Sequence, residues 1–179
     1  MSDLGFYVHA ATRREVLGAG IHASPDAWAS ALGHDYVENH GGGTFIRDYG
    51  LLEISFAEET ESGNVACFGF GLKLHPLLGS TEGYVPQALL REYGLFANRV
   101  RFDALRVAIE ATGCTLEHED GGDGDDIHRY RVVESGARVH VIVDPDPYDY
   151  GHDPDDPEES QAGDVLSIDV SPMWWGSSA

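Results

Sequence analysis

Apolar residues along the first half of the chain fall first at helical and then at strand spacing. Ser24-Pro25-Asp26 leads into Ala27, Trp28, Ala31 and Leu32, and Gly33 follows. Ser24 is placed to cap a helix, Pro25 suits its first position, Asp26 complements its positive end and Gly33 stops it. A shorter helix is expected over residues 12–17, ended by Gly18 and Gly20. After a loop at His40-Gly41-Gly42-Gly43 the period drops to two. Residues 45–49 and 51–56 read as a hairpin turning near Asp48-Tyr49-Gly50, with Leu52, Ile54 and Phe56 on one face and Glu53 and Ser55 on the other. A third strand spans residues 65–74, where Phe68, Phe70, Leu72 and Leu74 alternate with smaller or polar residues before Pro76.

The second half repeats this order. A short helix is expected over residues 85–95, and Phe102, Leu105, Ala108 and Ile109 mark one face of a firmer one closed by Gly113. Strands follow at 127–133, 138–143 and 165–171, the last with Leu166, Ile168 and Val170 on one face and Pro172 behind it. Leu72-Lys73-Leu74-His75-Pro76 and Ile168-Asp169-Val170-Ser171-Pro172 share a pattern and a terminator. The chain therefore reads as an α+β fold of two helix-then-three-strand units, residues 1–80 and 81–179, within one compact domain. An antiparallel sheet carrying its helices on one face would join them.

Charge changes the picture more than composition does. The 179 residues hold 31 acidic and 11 basic side chains, a net charge of −20, although the charged fraction is an ordinary 23%. Phosphate and anionic lipid are gripped by Lys and Arg, so nucleic acid and membrane surfaces are excluded as expected partners, and a basic protein is favoured. The excess is local: residues 1–80 carry ten acids and four bases, residues 81–179 twenty-one and seven. No apolar run has the length of a signal or membrane segment, and Cys67 and Cys114 form no paired pattern, so a cytoplasmic location is expected.

Motifs of catalysis do not assemble. His40-Gly41-Gly42-Gly43 is similar to a lipase oxyanion loop, but the G-x-S-x-G nucleophile turn it would serve is missing. Gly69 and Gly71 lie inside a strand, not at the strand-to-helix turn of a dinucleotide site. Gly121-Gly122-Asp123-Gly124-Asp125-Asp126 is a single copy of a calcium repeat that functions by stacking. The nine histidines show no ligand spacing on a helix; His128 and His140 are the pair that neighbouring strands could bring together. No catalytic residue, metal ligand or cofactor is assigned.

Two features remain. Tyr148 and Tyr150 stand among Asp144, Asp146, Asp149, Asp153, Asp155 and Asp156, and tyrosine is an interface residue that solubility does not require. Trp174 and Trp175 are adjacent, so from a strand they cannot both face one core. These ten residues are the candidate partner-binding set.

The stretch from Gly20 through Ser24-Pro-Asp-Ala-Trp-Ala-Ser-Ala-Leu32-Gly33 resembles the helix that opens each repeat of β-lactamase-inhibitor-like proteins. The hairpin Asp48-Tyr-Gly-Leu-Leu-Glu-Ile-Ser-Phe56 is similar to small immunity proteins found beside bacterial toxins. The resemblance covers about residues 15–76 and implies a bacterial inhibitor of helix-plus-antiparallel-sheet repeats. Without paired cysteines, it implies an intracellular immunity or antitoxin role: occlusion of a basic toxin or enzyme, such as a nuclease. A second expectation, from a different class, is a small α+β enzyme or ligand-binding domain. Phe56, Phe68 and Phe70 would line an apolar cavity between its helices and sheet.

Overall fold

Local signals set most elements. In the computed structural model, which describes residues 2–120 and 124–172, Ser24 accepts a hydrogen bond from the Ala27 amide and caps α2 (Pro25–Leu32), and Gly33 ends it. Trp28 carries α2 into the core, fully buried with its ring 5.3 Å from that of Phe70. The helix expected at residues 12–17 lies earlier in the chain. α1 runs over Asp3–Arg13, capped by Ser2 and closed by Arg14 in a left-handed conformation. The short strands β1 (Glu15–Val16) and β2 (Ala19–Gly20) then pair with each other. Ser2 and Asp3 accept from the Gly5 and Leu4 amides at the start of α1, and the left-handed Arg14 and Leu17 keep residues 14–17 out of a helix.

The remaining strands are β3 (Val37–Gly41), β4 (Thr44–Asp48), β5 (Leu52–Glu58), β6 (Val65–Lys73), β7 (Leu116–Glu119), β8 (Ile127–Val132), β9 (Arg138–Ile142) and β10 (Val165–Val170). The helices α3 (Gln87–Tyr93) and α4 (Phe102–Glu110) precede the second set. All eight strands form one antiparallel sheet in the order β3-β4-β5-β6-β10-β9-β8-β7. The fold is α+β as expected, but each half contributes four strands, not three. The strand missed in the first half is β3, since the glycines after His40 make the tight turn of a β3–β4 hairpin. The strand missed in the second half is β7, four residues whose Glu-His-Glu ending has no apolar alternation.

The two meanders meet at β6 and β10, where Leu72 lies opposite Ile168. These are the residues that superposing the two strand endings makes equivalent, so a local dyad passes through their pair. One face of the sheet is buried beneath the helices by Leu52, Ile54, Phe56, Phe70, Leu72, Val139, Ile168 and Val170. Phe6 and Tyr7 of α1 and Phe102, Leu105 and Ile109 of α4 complete the core. A bulge between Ser55 and Phe56 breaks the expected alternation in β6: Cys67, not Phe68, sits opposite Phe56. Burial pushes the Cys67 thiol up to about 12. Phe56 and Phe70 are buried in the core, whereas Phe68 lines an open groove of about 550 Å³ with His22, Ala57 and Pro172.

The opposite face is polar. Glu119 of β7 meets Arg138 at 2.9 Å, Arg129 at 3.0 Å and Arg131 at 3.5 Å. Burial alone would raise the Glu119 carboxyl, but these guanidiniums, Arg138 foremost, hold it below the usual carboxylate range. Lys73 bridges Asp48 at 2.8 Å and Glu53 at 3.5 Å on the same face. His128 and His140 do not meet: His140 pairs with Arg129 in the ladder and so projects from this face, whereas His128 projects from the other. The ring beside His128 is that of His118, 4.7 Å away.

Candidate functional site

The long connection between β9 and β10 holds the aspartates and tyrosines picked out above, and its base is fixed by residues not expected there. Asp164, 3% exposed, accepts from Arg99 at 2.5 Å and Arg101 at 2.7 Å. The remaining nitrogens of these guanidiniums reach into the loop. Arg99 donates to the carbonyls of Glu159 (2.8 Å) and Pro157 (3.2 Å), and Arg101 to that of Ala162 (2.8 Å). Arg99-Val-Arg101 carries two of only 11 basic residues at alternate positions just before a helix, the one sequence signal that marked it.

The loop's tip is built around Asp146. Its Oδ1 accepts from the amide of Tyr150 (2.7 Å), and its Oδ2 accepts from those of Gly151 (2.8 Å) and His152 (2.9 Å). The Tyr150 amide, followed by those of His152 and Gly151, holds the Asp146 carboxyl below its usual range. Asp149 turns the chain with a positive φ of 56°. The rings of Tyr148 and Tyr150 end up 5.8 Å apart, yet are 74% and 87% exposed. Two aromatic rings are thus presented to solvent on a backbone pinned from inside.

The other aspartates divide between framework and free charge. Asp144 accepts from the Asp146 amide, Asp153 from that of Asp155 and Asp156 from that of Glu158. These carboxylates are more than the solvated charges that a Pro-rich acidic loop suggests: they cap successive turns. Asp149 and Asp155 are exposed at the surface. The loop lies beside the 3₁₀ turn at His75–Leu78. Between them runs an open groove of about 410 Å³ lined in part by His75, Tyr150, His152, Glu158 and Glu159. Trp174 and Trp175 lie outside the described residues, as do residues 121–123 of the calcium-like segment. Among the described residues, no three His, Cys, Asp or Glu side chains cluster as metal ligands.

No protein-family model, curated protein or solved structure matches this chain.

Proposed function

We propose that this protein is an acidic binding module that occludes a basic protein partner, with the loop between β9 and β10 as its contact element. The observation that carries this reading is the exposure of Tyr148 and Tyr150 on a backbone held by Asp146. Tyrosine supplies large contact area with few torsions to freeze, and a pre-set loop lowers the ordering cost of binding. The surrounding aspartates speed encounter with a basic surface over about a Debye length, ~8 Å at physiological salt. Positively charged phosphate-gripping enzymes, nucleases among them, fit this surface, and an intracellular immunity or antitoxin role is the biological form the reading takes.

The test is affinity capture from the native cell at low salt with the parent protein and a Tyr148→Ala/Tyr150→Ala variant. A basic protein should be retained stoichiometrically by the parent and lost by the variant. Adding the parent to the captured partner's activity assay should then suppress that activity. Equal retention by both proteins, or no basic protein on the parent, overturns the reading.

A further inference from the structure

We propose that β3 is a self-complementary sheet edge, and that two copies of this protein associate by pairing their β3 strands antiparallel about Asn39. The inference is independent of the partner-binding loop and rests on which backbone groups the outer strand leaves open.

β3 pairs with β4 on one side only, and all five of its residues are exposed. Gly42 and Gly43 have φ of +60° and +81°, which is a type I′ turn, so its flanking residues Gly41 and Thr44 exchange hydrogen bonds. The alternation then makes Asn39–Ile46 and Val37–Asp48 the other hydrogen-bonded pairs. The far side of β4 agrees: the Tyr49 amide donates to the Leu52 carbonyl at 2.8 Å, which turns Tyr49, Arg47 and Phe45 toward β5 and leaves 44, 46 and 48 for β3. The N–H and C=O groups of Glu38 and His40 consequently point away from the sheet.

A dyad at Asn39 uses just these groups. Glu38 of one copy falls opposite His40 of the second, and the two residues exchange N–H···O bonds on each side of the dyad. Their side chains share a face, where Glu38 and His40 already bond at 2.8 Å within each copy. The dyad therefore sets two such pairs side by side with an acid opposite a base at both ends, an arrangement that stabilises cross-strand pairs. On the other face Asn39 meets its own counterpart. Val37, 63% exposed, lies opposite Gly41, where there is open space in place of a side chain.

The edge is also preformed. Arg47 binds Glu38 at 2.8 Å and lies over the Tyr36 ring at 4.4 Å. The His40 ring stacks on Phe45, which stacks on Phe56 in the core. Of the devices that guard natural edges, Val37-Glu-Asn-His-Gly41 lacks Pro, Lys and a bulge, and its one acid, Glu38, is neutralised by Arg47 at 2.8 Å. The other edge is different. In β7, Glu117 and Glu119 share a face, so self-pairing about His118 would set like charges opposite each other.

A five-residue edge is small beside the ~1,000 Å² of a stable interface, and a net charge of −20 repels a second copy. The dimer should therefore be weak, forming at about 100 μM, and it should strengthen as salt screens the repulsion. Analytical ultracentrifugation at 0.1 M and 0.5 M salt, on protein up to about 1 mM, reads this directly. His40→Glu, which faces Glu38 with a like charge, should weaken association at least tenfold, and His40→Lys should retain or tighten it. Val107→Glu on α4 changes net charge as His40→Glu does, far from the edge, and should leave association near that of the parent. Residue 40 is exposed, so circular dichroism should show all three variants folded. A parent and a His40→Lys variant that are both monomeric at 1 mM and 0.5 M salt overturn the proposal. So does equal weakening by His40→Glu and Val107→Glu.

Discussion

Asp146 does for its loop what a capping residue does for a helix, collecting amides that would otherwise face only water. Asp146→Ala should release the amides of Tyr150, Gly151 and His152, raising their hydrogen-exchange rates at least tenfold while the melting temperature of the whole protein hardly moves. Protonation should act in the same direction. The folded-state carboxyl lies below its unfolded value, so the ordering it provides is complete above the unfolded value and is lost as pH falls through the folded one. Amide exchange corrected for its intrinsic pH dependence should show the loop unchanged from pH 7 to about pH 4 and loosened below that. The composition of the loop was legible in the sequence; its organisation was not. Which aspartate turns inward depends on backbone geometry around Asp149, and nothing in a run of Asp, Pro and Tyr distinguishes Asp146 from Asp149.

Among the elements, α2 could be read because cap, first-turn proline, acidic start, apolar face and terminal glycine all agree. Strand β3 could not, since its residues are exposed on both faces and carry no alternation; tertiary pairing with β4 is all that makes it a strand. Phe68 was misplaced for a related reason, because a bulge is set by the partner strand and leaves no local mark. Gly50 shows an element junction under tight constraint. It has a φ of +82°, and a Cβ there would stand 2.3 Å from the Tyr84 carbonyl oxygen, which also accepts from the Leu51 amide at 2.9 Å. Gly50→Ala should therefore cost about 2 kcal/mol or more in urea unfolding, through both the left-handed backbone and the clash.

At the scale of the whole molecule, the proposed complex would owe its rate of approach to charge asymmetry and its retention to shape. Asp153→Asn/Asp155→Asn/Asp156→Asn keeps an acceptor oxygen at each position, so the turns capped by Asp153 and Asp156 survive and stability should change little. Association with the proposed basic partner should nevertheless slow, and its dependence on ionic strength should flatten, with dissociation nearly unchanged in stopped-flow mixing. An association rate equal to the parent's at every salt concentration would remove these charges from the encounter.

The local dyad at Leu72 and Ile168 also has a kinetic side. Within each four-stranded half, every ladder joins strands that are successive along the chain, so apart from the long β9–β10 connection these pairings close short loops and can form early. The β6–β10 seam instead joins residues separated by the entire second half, and closing so long a loop is entropically the hardest step in the sheet. Helix α1, from the first half of the chain, packs on α4 and β10 of the second, where the Ser135 hydroxyl donates to its Ala11 carbonyl at 2.6 Å. Strand order within each half is set between neighbours in the chain, whereas the seam and the seat of α1 join distant parts of it, so the seam should form late in folding and open early.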